Sequence, residues 1–328
     1  MREFAFELSL AAALEAAHPD RVIGRQLGAS VYAKRVIDLA MVVPGPSFEE
    51  RTAITAATIP PAAIEASVGV GSAVHYRAAF PRKSREWARE ATDRAIEAGF
   101  FEPERRKGRL FVRQTARYPE WTDRIVGIEN KPDLSRPGDL QLQLRRDVSL
   151  GLFDEIWLAT ASHVTGAHLN RLPAEVGVWR FDTETEERTV VREATALDPG
   201  GPGLELLERA PGQTDVRTVT QATKRRQRRR LAERAYGKGW RVPASQFPGC
   251  GQCVVATRSD RGPLPGCQYK GRLVDPAREC GPDCDGYQSD TPPSVDVERA
   301  RASGSPWVAE PPGRSRRQTG LDRFGGQD

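Results

Sequence analysis

Three charged side chains stand where charge is expensive. In the stretch RIVGIENKPDLSR (Arg124–Arg136), Val126 and Ile128 point to one side of a strand and Glu129 and Lys131 share the other, because side chains alternate with period two. An ionised glutamate on an apolar strand costs several kcal/mol unless a cation compensates it. Far upstream, Asp38 alone interrupts the apolar run Arg35–Val43. Two strand-borne carboxylates and a strand-borne lysine form the donor set of a magnesium-dependent phosphodiesterase centre. Carboxylates are the hard oxygen ligands that magnesium prefers.

A second chemistry is written in the cysteines. All five lie between Cys250 and Cys284. No apolar run reaches the length of a membrane span, and Met1 is followed by Arg2, Glu3 and Glu7, so neither a secretory leader nor an anchor is expected. In the cytoplasmic setting this implies, an odd, clustered set of cysteines favours metal ligation over disulfides. Cys250 and Cys253 form a CxxC knuckle, and Cys280 and Cys284 complete the four thiolates of a tetrahedral structural Zn²⁺. Cys267 is a substitute ligand, and an iron–sulfur cluster is the alternative occupant. His163 and His168 read as ordinary polar loop residues, since a hard ion prefers oxygen.

The elements that must position these residues can be placed from periodicity. Arg2–His18 reads as an Ala- and Leu-rich helix whose apolar stripe, Leu10 and Leu14, also carries Glu7 by i, i+3, i+7 spacing. RVIGRQL and RVIDLAMVV follow as a hairpin. Between Pro44 and Pro119 come short helical patterns, then a helix with Ser84 as N-cap and Gly99 as its stop, then two strands joined by a basic turn. That order suggests a winged-helix-like unit, with a helical cap carrying an exposed hairpin as the plainer reading. Arg105, Arg106, Lys107 and Arg109 of the turn are placed to touch phosphates. After Lys131, helix, strand, helical turn and strand make an α/β layer with a crossover connection. From Asp198 glycine and proline rise, and a helix follows with Lys224, Arg225, Arg226, Arg228, Arg229 and Arg230. From about Ser289 the composition is that of a disordered tail. The 328 residues carry a net charge of +5, a mild excess that suits a polyanionic partner such as DNA.

The order helix with Glu7, strand, strand with Asp38, strand with Glu129-x-Lys131, helix, strand resembles the PD-(D/E)xK nuclease superfamily, above all the archaeal Holliday-junction resolvases and related repair nucleases. The whole chain is also similar to an uncharacterised family of halophilic archaea. The nuclease resemblance implies an α/β fold: a restriction-endonuclease-like core, with a mixed central sheet flanked by helices, over residues 1–45 and 120–195. A helical or winged-helix-like insertion (46–119), a linker with a basic helix (196–245), a small cysteine-rich metal module (246–288) and the disordered tail (289–328) complete the expected layout. It further implies that Asp38, Glu129 and the Asn130 carbonyl ligate Mg²⁺ or Mn²⁺, that Lys131 serves the phosphoryl centre, and that Glu7 binds the ion through water. Ile37 replaces the proline of the literal motif, and Pro132 ends strand pairing directly after Lys131. The closing residues resemble the sliding-clamp-binding peptide of replication and repair enzymes, with Gln318, Leu321 and Phe324 at its anchor positions and Gly325 where a second aromatic is usual. The activity so implied is Mg²⁺-dependent DNA hydrolysis in repair or recombination, tethered to the clamp. A catalytically inactive nuclease fold that binds DNA as a regulator is the alternative. Resolvase-like relatives are dimers, which makes a homodimer one expectation and leaves the oligomeric state open.

Overall fold

The chain enters through helix α1 (Glu3–Ala17), which ends at His18 ahead of Pro19 because proline restricts the residue before it. Phe6, Leu10 and Leu14 of α1 are buried against the strands that follow. Those are β1 (Val22–Gly28) and β2 (Val36–Pro44), antiparallel with Ile23 opposite Met41. The computed structural model describes residues 2–210, 213–241, 247–256 and 263–313.

After β2 the chain leaves the sheet. Helices α2 (Phe48–Thr52) and α3 (Pro61–Ile64), strand β3 (Val74–His75), helices α4 (Tyr76–Ala79) and α5 (Arg85–Glu97), and strands β4 (Phe101–Arg106) and β5 (Arg109–Gln114) follow in turn. Phe48–Glu120 gather as a unit of their own, with Ile59, Ala91, Phe100 and Val112 in a separate core. The three strands are ordered β3-β5-β4. The Ser84 hydroxyl caps α5 by accepting from the Trp87 N–H (3.2 Å). Gly99 stops the helix at φ +74, a left-handed conformation that glycine adopts without penalty. Lys107 and Gly108 both have positive φ, the two-residue turn whose twist matches a hairpin.

The excursion returns where it left: the Gly45 N–H donates to the Trp121 carbonyl (2.6 Å). Strand β6 (Thr122–Asn130) then pairs antiparallel with β2, Ala40 opposite Gly127. Helix α6 (Leu140–Leu150) crosses to β7 (Glu155–Thr160), and the short helix α7 (Gly166–Leu169) leads to β8 (Gly177–Phe181) and β9 (Arg188–Arg192). The sheet runs β1-β2-β6-β7-β8-β9. β6, β7 and β8 are parallel and the other pairs antiparallel. This is a mixed α/β sheet flanked by helices.

Two expectations need correction. Residues 196–245, read as a linker with a basic helix, hold that helix but more than a linker before it: β10 (Gly203–Ala210) and β11 (Gln213–Val219) form a hairpin, and α8 (Gln221–Gly237) packs on the sheet. Ile23 faces α1, so its neighbour Gly24 faces the other side. A Cβ at Gly24 would lie 2.9 Å from the Ala235 Cβ, so the bare backbone there is what lets α8 lie on β1. The cysteine segment packs against α1. Strands β12 (Cys253–Ala256), β13 (Leu264–Cys267) and β14 (Arg272–Leu273) form a small sheet followed by α9 (Pro276–Glu279), and Leu264 and Phe247 pack on Leu8 and Ala12 of α1. The second is that residues 297–304 are helical where composition suggests disorder. Helix α10 (Val297–Gly304) is tied to the end of α8 by Arg301, which donates to the carbonyls of Ala235 (3.3 Å) and Tyr236. Gln318, Leu321 and Phe324 lie outside the described residues. Among the described residues no helix is long and apolar enough to cross a membrane.

Candidate functional site

The β2–β6 ladder ends at the pair Leu39–Ile128. The next residue of each strand is a carboxylate, Asp38 and Glu129, and a cleft of about 710 Å³ opens there, lined also by Glu7 and Lys131. Asp38 Oδ2 accepts the backbone N–H of Asn130 (2.9 Å) and Oδ1 accepts from Gln26 Nε2 (3.2 Å). Glu7, brought in by α1, accepts from Arg25 Nε (2.7 Å), Gln26 Nε2 (2.9 Å) and Asn130 Nδ2 (3.3 Å). Glu129 Oε2 accepts from Arg35 Nη2 (2.7 Å), and the same guanidinium grips Asp147 of α6 through Nε (3.1 Å) and Nη2 (2.6 Å). Lys131 Nζ sits at the rim, donating to the exposed Glu3 (3.3 Å).

Carboxylates outnumber the cations paired with them. Glu7, Glu129 and Asp147 are buried and Asp38 is half-buried, while the cations paired with them are Arg25 and Arg35. Four carboxylates thus share two guanidiniums, Arg35 serving both Glu129 and Asp147. The imbalance is felt locally. Burial, reinforced by the charge of Asp38, pushes the Glu129 carboxyl up to about 8 against the pull of Arg35. Burial likewise lifts Asp38 to about 6, with Glu7 adding to the rise and the Asn130 N–H opposing it. Burial also raises Asp147, with Arg35 opposing. Asn130 Oδ1 is buried and accepts no hydrogen bond, an orphan acceptor in a site that has an excess of acceptors already.

Such a donor set fits a hard divalent cation. It is all oxygen, has more carboxylates than paired cations, and offers an unused amide oxygen. Among the described residues no three His, Cys, Asp or Glu side chains are grouped to hold a metal ion. An ion at Asp38 and Glu129 would therefore have two carboxylate ligands and fill its shell with water, as Mg²⁺ ordinarily does.

Gln26, Arg25, Arg35 and Asp147 are the residues that sequence reading misses. Gln26 holds φ 52 in the middle of β1, a strained conformation for a residue with a side chain and one that collects at functional sites. Asp147 had a legible signal: it follows Leu140 and Leu144 at i, i+4, i+7, an acid on the apolar stripe of α6.

Residues 22–289 match a protein-family model. The chain belongs to the family of unknown function DUF5787. No curated protein and no solved structure matches it. The matched stretch of this DUF5787 member includes Asp38, Glu129, Lys131 and all five cysteines, and Glu7 precedes it.

The remaining candidates divide by burial. Lys224 is no surface cation: it is 1% exposed and donates to the Asp198 carbonyl (3.0 Å), with burial lowering its ammonium below the ordinary range. Arg228 is spent on the Leu152 carbonyl (2.6 Å) and Asp154 (2.9 Å). Arg225 and Arg226 are exposed, and Arg229 and Arg230 half-buried. Arg105, Arg106, Lys107 and Arg109 are all exposed at the β4–β5 turn, Arg106 being paired with Glu104 (2.6 Å). Lys238 and Arg278, both exposed, join Phe4 and Trp240 in lining the cleft. His168 caps α7, its Nδ1 accepting from the Thr165 N–H (3.3 Å), and His163 is exposed.

All five cysteines are free thiols. Cys253 stands opposite Cys267 across the β12–β13 ladder, and its N–H donates to the Cys250 carbonyl (2.8 Å). Burial raises the Cys253 thiol to about 11, with Cys280, Cys250 and Cys267 adding to the rise. Burial raises the Cys280 thiol too, with Cys267, Cys250 and Cys284 adding to the rise.

Proposed function

We propose that this protein is a Mg²⁺- or Mn²⁺-dependent DNA nuclease of repair or recombination type, built on a restriction-endonuclease-like core of the PD-(D/E)xK kind. One observation carries the reading: Asp38 and Glu129, in a group where buried carboxylates outnumber their paired cations, meet at the mouth of a cleft that Lys131 also lines. Asp38 and Glu129 would hold the ion, with the Asn130 carbonyl as a further oxygen and Glu7 acting through water. A bound divalent cation lowers the pKa of its water and neutralises charge at a phosphoryl centre. Gln26 fixes the rotamers of Glu7 and Asp38 together. Lys131 would exchange its exposed partner Glu3 for a phosphate oxygen or the attacking water. Lys238 and Arg278, both exposed in the lining of the cleft, would contact flanking phosphates.

The inserted unit supports a DNA partner. Helix α5 followed by the β4–β5 hairpin, with strands ordered β3-β5-β4, is a winged-helix-like arrangement. The exposed face of α5 pairs its own charges, Arg89 with Asp93 (2.8 Å) and Arg94 with Glu90 (3.6 Å). The basic hairpin rather than the helix is therefore the phosphate-contacting part. Cys250, Cys253, Cys267 and Cys280 would hold a structural Zn²⁺, or an iron–sulfur cluster, with the Cys253–Cys267 pairing as support. The closing peptide with Gln318, Leu321 and Phe324 would recruit a sliding clamp.

The test is a cleavage panel of linear, flap and four-way DNA with Mg²⁺ or Mn²⁺. Wild-type protein cuts at least one substrate, and Asp38→Ala, Glu129→Ala and Lys131→Ala abolish cutting while leaving DNA affinity near normal. A second reading, an inactive nuclease fold that binds DNA as a regulator, is favoured by the protein cations already seated on Glu129 and beside Glu3. Salt-sensitive binding without turnover selects it. Neither binding nor turnover defeats both.

A further inference from the structure

The two oxygens of Glu129 meet different surroundings. Oε2 is held by Arg35 Nη2 at 2.7 Å. Oε1 accepts no hydrogen bond from the described residues, and the side chain lines the cleft. Arg35 has no freedom to let go. Its Nε and Nη2 form a fork on Asp147, its Nη1 donates to the Val36 carbonyl, and the side chain is 7% exposed. The loop that delivers it is clamped as well: Glu205 accepts the N–H groups of Val31 (2.9 Å), Tyr32 (2.8 Å) and Ala33 (3.1 Å). Asp38 is similarly occupied at both oxygens, by Gln26 and by the Asn130 N–H.

We propose that the buried Arg35–Asp147 pair sets the cation selectivity of the site, by confining Glu129 to one-oxygen ligation. This rests on the cation site proposed above. Mg²⁺ and Mn²⁺ accept single oxygens around a compact octahedron. Ca²⁺ seeks more oxygens at longer distance and commonly takes a carboxylate by both. A glutamate with one oxygen tied to a locked guanidinium cannot swing to offer two. Arg35 and Asp147 are positioning residues: they touch Glu129, or each other, and not the ion.

The test is isothermal titration of the full-length protein, dialysed free of Mg²⁺ and Ca²⁺, with each ion alone. The wild type favours Mg²⁺. Removing Arg35 alone would strand Asp147 in the interior, so the principal variant is Arg35→Met with Asp147→Leu, which replaces the buried pair by apolar groups. Arg35→Lys is the second variant, since a point charge cannot bridge both carboxylates as a planar fork does. Both shift the Ca²⁺-to-Mg²⁺ affinity ratio towards Ca²⁺ by about tenfold or more, with far-ultraviolet circular dichroism unchanged. Arg35→Lys decides the matter if the double variant does not fold. A wild type that binds Mg²⁺, beside folded variants with an unchanged ratio, overturns the selectivity role and leaves the cation site standing. A wild type that binds neither ion overturns the site itself, and the selectivity role with it.

Discussion

Replacing Glu129 by glutamine makes the cation-free protein more stable and the cation-loaded protein less so. In the absence of a cation, burial and Asp38 move the Glu129 carboxyl from an ordinary 4.5 to about 8. At pH 7 the unfolded chain has released this proton and the folded chain has largely kept it, a penalty of about 3 kcal/mol that a neutral side chain avoids. Weakening the hydrogen bond from Arg35 gives back about 1 kcal/mol. Asp147 still satisfies the guanidinium, so the net gain is about 2 kcal/mol, or about 4–8 °C in Tm. The sign of the pH dependence follows. The folded group titrates above the unfolded one, so wild-type stability falls as pH rises from 4.5 towards 8. The glutamine variant lacks that component. Saturating Mg²⁺ reverses the order, since a hundredfold excess over Kd stabilises the wild type by about 2.7 kcal/mol and the variant not at all. Calorimetric melts of both proteins at pH 5, 7 and 8, with and without Mg²⁺, read all of this. A variant that melts below the wild type at pH 7 or 8 without cation refutes the reasoning, as does a wild type indifferent to Mg²⁺.

Three further outcomes are expected. Glu205→Ala releases three backbone N–H groups of the Val31–Ala33 loop and lowers unfolding free energy by about 2–3 kcal/mol in urea; a loss well under 1 kcal/mol denies the clamp. Cys267→Ser purifies without zinc while Cys284→Ser retains it, measured by elemental analysis, and the opposite result returns Cys284 to the ligand set. Arg105→Ala with Lys107→Ala and Arg109→Ala flattens the salt dependence of DNA binding by about one slope unit per lost phosphate contact, whereas Lys224→Met leaves it unchanged; equal effects from both would place Lys224 at the DNA.

What could be read from sequence was whatever breaks a pattern locally. Asp38 and Glu129 stand out because a charge in an apolar strand has few explanations. Ser84 and Gly99 mark the ends of α5 by chemistry confined to single positions. What escaped depends on partners distant in sequence. Arg35 precedes its strand and resembles any solvated cation until Asp147 and Glu129 are folded onto it. Gln26 is an unremarkable amide until its backbone is seen in the left-handed region. The β10–β11 hairpin hid among glycines and prolines that read as a linker, although the Pro211-Gly212 dipeptide is itself a turn signal. Lys224 was misread for want of its period: it shares a helical face with Gln227 and Leu231, both buried.

The hydrogen bond from Gly45 to the Trp121 carbonyl has a bearing on how the chain folds. β2 leaves the ribosome long before its partner β6, and Ala40 must wait for Gly127. An unstructured excursion of that length would make the pairing slow, because closing a long loop is entropically costly before any contact repays it. An insert that collapses on its own core brings its two ends together first, turning a distant encounter into a nearly local one. On that reasoning, destabilising the core of residues 48–120, for instance by Phe100→Ala, should slow refolding of the sheet in stopped-flow measurements, and an unchanged rate denies it.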